Sequence, residues 1–125
     1  TMLRILKSMV VIGVAGLLAS QAQAADAKNG ATVFQRCAIC HSDTKGAPAK
    51  IGPNLFGVVG RKAGTQANFS YSDAMKASGI TWTPDKLTAY VEHPQAVVPG
   101  NRMAFAGITR PADAADLVAY LDTLK

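Results

Sequence analysis

One stretch decides the fold of this 125-residue chain: Cys37-Ala38-Ile39-Cys40-His41. A Cys-x-x-Cys-His run is the attachment pattern of a c-type haem. Two thiols three residues apart lie on one side of a helical turn, where each can form a thioether with one vinyl group of the haem. The histidine that follows lies under the iron, as its proximal ligand. The run therefore predicts one haem c, bound covalently through Cys37 and Cys40, with His41 as a metal ligand.

The same residues permit three other interpretations. A thioredoxin-like redox pair normally lies in a βαβ context. A zinc site needs further Cys or His ligands, and only His93 remains outside residues 37–41, which are called the pentad below. A Cys37–Cys40 disulfide suits an oxidising compartment but leaves His41 unexplained. The haem interpretation is favoured because it uses all three side chains.

The N-terminus has the pattern of a secretory signal peptide. Arg4 and Lys7 form a basic start, residues 9–19 are apolar, and Ala22-Gln23-Ala24 fits the small-x-small cleavage rule. The alternative, a retained membrane anchor, is disfavoured because the apolar run is shorter than the about 20 residues needed to span a bilayer. We predict a signal peptide over 1–24, cleaved before Ala25, and one domain over 25–125 in the periplasm.

Charge and size limit the function of that domain. The net charge of the whole chain is +5, and without Arg4 and Lys7 it would be +3, from 11 basic and 8 acidic side chains. This excess is too small to indicate nucleic-acid binding. A domain of about 100 residues with few aromatic side chains builds only a marginal core. A flat apolar macrocycle at its centre would supply what is missing.

Helix signals recur along the domain, without any strand pattern of useful length. Asp26 is a predicted N-cap for a helix running to about Cys37. Residues 42–64 are rich in Gly, Pro and Lys, which predicts loops. Ser70-Tyr71-Ser72-Asp73 has the spacing of a capping box, opening a short helix that ends near Gly79.

The C-terminal half contains two stronger helix signals. Thr83-Pro84-Asp85 predicts a helix start, and Pro94 ends that helix at His93 because proline disfavours helical backbone in the residue before it. A turn over 98–101 leads into an irregular segment. The last helix begins at Thr109-Arg110-Pro111, and it carries an apolar stripe of Leu117, Tyr120, Leu121 and Leu124. One small all-α domain is predicted.

The identity of the sixth iron ligand, on the other face of the haem from His41, distinguishes an electron carrier from an enzyme or a gas sensor. Met103 is the preferred sixth ligand because it lies in the irregular segment, where it has no helical stripe to fill. His93 precedes a proline at a helix end, where a solvated or capping histidine is expected. Met75 lies on a short helix and is expected in the core. The predicted metal ligands are therefore His41 and Met103.

With these residues in place, the chain resembles the class I c-type cytochromes, which include mitochondrial cytochrome c and its soluble bacterial relatives. The resemblance covers essentially all of residues 25–125. It is carried by Gly30, Phe34, the pentad, Gly52-Pro53-Asn54-Leu55, Gly60-Arg61-Lys62, Phe69-Ser70-Tyr71, Gly79-Ile80-Thr81-Trp82, Tyr90, Pro94, Pro99-Gly100, Met103-Ala104-Phe105-Ala106-Gly107-Ile108, Leu117 and Tyr120. It implies a small cytochrome c fold, with helices wrapped around one haem.

The resemblance also implies roles for further cofactor-binding residues. The Pro53 carbonyl accepts a hydrogen bond from the imidazole of His41, which fixes its tautomer. Gly30 lets the first helix approach the last one closely at Tyr120. Tyr71 and Trp82 are implied to hydrogen-bond a buried haem propionate, with Arg61 nearby. The Tyr90 hydroxyl is implied to lie near the Met103 sulfur. Phe105 is implied to close the haem edge.

Several positions depart from the mitochondrial pattern. Met75 replaces a frequent asparagine, which should make the haem pocket drier. Asn101 replaces a threonine but can still hydrogen-bond. Gln95, Ala96 and Thr109 replace lysines of the docking face.

The resemblance implies a soluble single-haem electron carrier, monomeric and not an enzyme, which shuttles one electron between respiratory or photosynthetic redox partners. Membrane-bound complexes would dock at the haem edge near Arg36, Lys50, Arg102 and Arg110, with no nucleic acid involved. The alternative is a peroxidase-like or gas-sensing haem protein with a displaceable methionine ligand.

Overall fold

The computed structural model describes Val11, Gly13 and residues 24–125. Apart from Val11, Gly13 and Ala24, the predicted signal peptide lies outside the described residues. The helices are α1 Ala27–Val33, α2 Asp73–Ala77, α3 Pro84–Glu92, α4 Pro94–Val97 and α5 Pro111–Asp122, with a 3₁₀ turn at Phe34–Arg36. Over the described range the only β pairing is one isolated bridge between Lys62 and Thr81. The predicted all-α class is confirmed.

The first helix begins where its cap predicts. The Asp26 carboxylate accepts from the backbone N–H groups of Lys28 at 2.9 Å and Asn29 at 3.2 Å, which satisfies two free donors of the first turn. The helical path continues to Arg36, but its last turn tightens to 3₁₀ geometry, as is common at a helix C-terminus. The pentad follows directly.

The start of α2 differs from the predicted capping box. The cap is Ser72, not Ser70: the Ser72 hydroxyl accepts from the Met75 N–H at 3.1 Å, and Asp73 lies in the first turn. Two serines precede the same acid, and the backbone uses the nearer one. The helix ends at Ala77, and Gly79 follows with φ +67°, a left-handed conformation that suits glycine at a helix end.

Helix α3 has its predicted ends, but α4 was not predicted. The Thr83 hydroxyl caps α3 by accepting from the Lys86 N–H at 3.3 Å, and the helix stops before His93. Pro94 ends one helix and also begins the next, because its fixed φ suits the first helical position, where no N–H is needed.

The first and last helices of the domain, α1 and α5, pack on each other. In α5, Leu117 and Leu121 of the predicted stripe are buried, together with Ala114 and Val118, and Tyr120 is half-buried. Leu124, predicted in the same stripe, is half-buried but lies beyond the end of the helix at Asp122. The rings of Phe34 and Tyr120 lie 5.5 Å apart between their centres.

A polar contact reinforces this helix pair at its outer edge. The Asp116 carboxylate accepts from the backbone N–H of Asp26 at 2.7 Å and from the side-chain amide of Asn29 at 2.8 Å. These two hydrogen bonds lower the pKa of Asp116.

No helix among the described residues has both the length and the apolar content needed to cross a bilayer.

Candidate haem-binding site

The pentad forms one helical turn after the 3₁₀ segment. The N–H of Cys40 donates to the Cys37 carbonyl at 3.0 Å, and the N–H of His41 donates to the same carbonyl at 2.9 Å. Both thiols are free and half-buried. Burial is the main cause of the raised pKa of Cys37, partly offset by the nearby Arg36 cation. The turn therefore carries two separate thiols and an imidazole, as haem attachment requires.

His41 is held in one orientation and one tautomer. Its Nδ1 lies 2.7 Å from the carbonyl oxygen of Pro53, which can only accept, so Nδ1 carries the proton and Nε2 keeps its lone pair. The backbone of Gly52 lies against the ring, where a Cβ would come within 2.8 Å of Nδ1. Burial is the main cause that lowers the pKa of His41, and Arg61 and Lys50 add to it against the effect of the Pro53 bond. A neutral nitrogen is thus available to a metal.

The free thiols and the neutral Nε2 fit a c-type haem by the chemistry of their donor atoms. Pro53 was expected at this place from the resemblance. Gly52 belongs to a run that carries the resemblance, but the resemblance did not imply its contact with the imidazole.

The segment after the pentad is joined to residues 50–52. The Lys50 ammonium donates to the Ala38 carbonyl at 2.9 Å, and the Gly52 N–H donates to the Cys40 carbonyl at 2.8 Å. In sequence, Ile39 lies between the two bonded residues of the pentad, and Ile51 lies between Lys50 and Gly52. Their exposed fractions are 76% and 77%, so one large apolar side chain of the pentad and one from the neighbouring segment are exposed to solvent.

Three polar side chains form a connected group, and the resemblance implied a role for two of them, Arg61 and Tyr71. Arg61 donates to the carbonyls of Asn54 at 3.0 Å and Phe56 at 3.4 Å, and to the side-chain oxygen of Gln66. The backbone N–H of Gln66 donates to the Tyr71 hydroxyl at 3.2 Å, which leaves the proton of that hydroxyl for another acceptor. Burial lowers the pKa of Arg61 and raises that of Tyr71. Gln66 lies in a loop without a motif, so no sequence signal indicated it.

Trp82 and Tyr90 are both buried, with their ring centres 4.8 Å apart. Burial raises the pKa of Tyr90 to about 12, so this phenol stays neutral at physiological pH. The two aromatic side chains form one wall of the core.

The remaining predicted residues lie in the second half of the chain. Met103 and Phe105 are half-buried in the irregular segment and pack against the core. Met75 is buried in the core, whereas His93 is exposed. The four basic docking residues, Arg36, Lys50, Arg102 and Arg110, are all exposed. Asn101, which departs from the mitochondrial pattern, is buried, and its side-chain oxygen accepts from the Met103 N–H at 2.9 Å.

An all-α fold with a Cys-x-x-Cys-His turn, whose histidine is oriented by a backbone carbonyl, defines a c-type cytochrome. Residues 27–125 match the cytochrome c family over almost the whole described domain. The chain therefore belongs to the cytochrome c family. Its cofactor is one haem c attached through Cys37 and Cys40, and its function is that of a single-haem electron carrier.

Similar proteins agree with this assignment. The chain is 52% identical over 89 residues to cytochrome c2 of Rhodopila globiformis, covering 71% of this chain and 83% of that protein. It is 46% identical over 114 residues to cytochrome c2 of Blastochloris viridis, covering 90% of each. The structure of cytochrome cH from Methylobacterium extorquens superposes with a TM-score of 0.74 at 40% identity, covering 78% of this chain and 98% of that one.

Proposed function

We propose that this chain transfers single electrons between membrane-bound redox partners while His41 and Met103 both stay bound to the iron. The observation that carries the proposal is the 2.7 Å contact between His41 Nδ1 and the Pro53 carbonyl. The haem supplies a reversible one-electron couple when bound. The chain holds the imidazole in one tautomer and orientation, so that little needs to move when the charge changes.

Met103 is proposed as the second ligand because of its place in the fold. It is half-buried against the core, in a segment tied to Val91 through the Ile108 N–H at 2.8 Å. A thioether is a soft ligand that favours the reduced iron and raises the potential. We assign Tyr90 to hydrogen-bond this sulfur and Phe105 to cover the haem edge.

We propose that one haem propionate is held by Arg61, Tyr71 and Trp82. A buried carboxylate is costly unless it is paired and hydrogen-bonded. Arg61 is half-buried and has only neutral hydrogen-bond partners in the protein, so its charge is available. Gln66 links it to Tyr71 and so places cation and hydroxyl in one group.

The docking surface is proposed to be the pentad face, defined as Arg36, Ile39, Lys50 and Ile51. The two isoleucines are exposed, and the Lys50 ammonium lies 2.9 Å from the Ala38 carbonyl next to Ile39. Arg36 precedes the pentad, is exposed, and lies 3.8 Å from the Asp113 carboxylate. Such a face fits a partner whose apolar patch is rimmed by carboxylates. The charges steer the encounter, and the apolar centre contributes affinity that salt does not screen. Arg102 and Arg110 are proposed to extend the basic rim.

We further propose that the protein catalyses no reaction of its own. The alternative, a peroxidase-like or gas-sensing haem protein, requires Met103 to leave the iron.

Residues 1–24 are proposed as a cleaved signal peptide that delivers the chain to the periplasm, because their basic start, apolar run and Ala22-Gln23-Ala24 have the required order.

The visible spectrum of the oxidised protein tests the ligand assignment. The parent should show the sulfur-to-iron charge-transfer band of a methionine-ligated haem. Met103→Ala should lose this band and lower the midpoint potential, whereas the matched control Met75→Leu should keep the band. A band that survives in Met103→Ala, or a parent that lacks it and binds peroxide, would contradict the proposal.

A further inference from the structure

The segment that carries Met103 has no helix or strand to hold it. Residues 98–110 are irregular, and their backbone depends on isolated hydrogen bonds. A turn closes from the Asn101 N–H to the Val98 carbonyl at 3.1 Å, through Gly100 with φ +86°. Two residues further on comes Met103. The conformation of this turn therefore determines where the thioether lies.

The side-chain amide of Asn101 closes the turn from inside. Its nitrogen donates to the Pro94 carbonyl at 3.0 Å and the Val98 carbonyl at 2.9 Å, and its oxygen accepts from the Met103 N–H at 2.9 Å. The residue is 7% exposed, so little water competes for these bonds. An asparagine amide offers two donors and an acceptor oxygen, and each of them is used here.

The side-chain amide of Gln95 closes the same turn from outside. Its nitrogen donates to the Asn101 carbonyl at 3.0 Å, and its oxygen accepts from the Gly100 N–H at 3.2 Å. Gln95 lies in α4, which begins at Pro94, whose carbonyl binds the Asn101 amide. The two amides thus join α4 to the turn on both of its sides.

We infer that Gln95 and Asn101 form an amide clasp that positions Met103 and slows the departure of its thioether from the iron. The inference rests on the proposed ligand role of Met103. Neither a lysine at 95 nor a threonine at 101 can form the same set: lysine has no acceptor, and a hydroxyl has one donor where the amide has two. The clasp therefore depends on two residues that differ from the mitochondrial pattern.

The test is the rate at which imidazole replaces the thioether in the oxidised protein, followed at the charge-transfer band. Gln95→Ala removes two hydrogen bonds at an exposed position and should raise this rate about fivefold. Asn101→Asp keeps the shape and the acceptor but loses both donors, and should raise it about tenfold or more. Gln35→Ala, at an exposed glutamine of the Phe34–Arg36 turn, is the matched control and should leave the rate unchanged.

Hydrogen exchange at the Met103 amide gives a second readout in the reduced protein. Exchange should accelerate in both clasp variants by factors similar to those for imidazole entry, and not in the control. Equal rates in parent, Gln95→Ala and control, with the charge-transfer band intact, would overturn the clasp while the ligand assignment stands. A parent without the band would overturn both. Gln95→Ala keeps the test decisive if Asn101→Asp fails to fold.

Discussion

Gly30 of α1 lies against the backbone carbonyl of Asp116 in α5, with no space for a side chain between them. A Cβ at this position would overlap the Asp116 carbonyl and come within 2.7 Å of the Tyr120 Cβ. Glycine is therefore required here by the close approach of two helices, although it is a poor residue for a helix interior.

Gly30→Ala should destabilise the protein in spite of the better helix propensity of alanine. The propensity gain is about 1 kcal/mol, whereas forcing the two backbones apart costs about 1–3 kcal/mol or more. The free energy of unfolding, measured with denaturant, should fall. Thr32→Ala, at an exposed position of the same helix, should leave it nearly unchanged. A Gly30→Ala protein as stable as its parent would show that the helices can separate freely.

Tyr120 should contribute stability that depends on pH. Its hydroxyl donates to the Asp43 carboxylate, and this bond is the main cause that raises the pKa of Tyr120 to about 12. Because the folded-state pKa lies above the unfolded value, the stabilisation is complete below pH 10 and is lost as the pH rises toward 12. Tyr120→Phe should cost about 1 kcal/mol at neutral pH, because this hydrogen bond is only partly buried.

The pH dependence of that difference is the measurement. Denaturant unfolding of parent and Tyr120→Phe should give a constant difference up to pH 10 and a shrinking one above it. Tyr90 is present in both proteins and cancels. A difference that grew above pH 10 would be inconsistent with the neutral phenol as the donor.

Arg61 should raise the midpoint potential. Arg61 is proposed to hold a haem propionate, and a fixed cation at that place disfavours the oxidised iron. Arg61→Gln should therefore lower the potential by about 40 mV, corresponding to about 1 kcal/mol for one charge across partly screened protein. Lys62→Gln makes the same charge change at the exposed neighbouring position and should shift the potential less. Equal shifts would indicate that only net charge matters.

Met75 should keep the haem pocket dry. It is 9% exposed in the core, and Met75→Asn would add a polar amide that favours the oxidised, more charged haem and lowers the midpoint potential. The variant should also lose about 1–3 kcal/mol of stability. Met75→Leu preserves an apolar side chain of similar volume and serves as the control. An unchanged midpoint potential in Met75→Asn would refute this role.

The pentad face should show two separable effects on partner docking. With a purified membrane-bound oxidase that accepts electrons from cytochrome c, Ile51→Gln should lower the second-order rate about fivefold at all salt concentrations. Lys50→Gln should lower it mainly at low salt and flatten its salt dependence. Lys62→Gln, at an exposed position that does not belong to the pentad face, is the charge control. An Ile51→Gln protein with the parent's rate would remove the apolar centre from the interface.

Local chemistry made part of this fold predictable. The spacing of Cys37, Cys40 and His41 determines the cofactor, and Thr83 followed by Pro84 marks a helix start that needs no tertiary help. The exact cap of α2 was missed because Ser70 and Ser72 both suit the pattern and the surrounding loops select between them. The hydrogen bonds of Gln66, Gln95 and Asn101 span only two to seven residues. They were missed because they follow the path of an irregular backbone, which turn and loop signals do not specify.

The packing of α1 on α5 also sets an order of events during the proposed export. A signal peptide leads the chain across the membrane from its N-terminal end, so the thiols of the pentad reach the far side before residues 111–122. Until the last helix arrives, Gly30 has no surface to meet and the domain cannot close. The arrangement leaves an interval during which Cys37 and Cys40 lie in an open polypeptide, accessible to the machinery that attaches the haem.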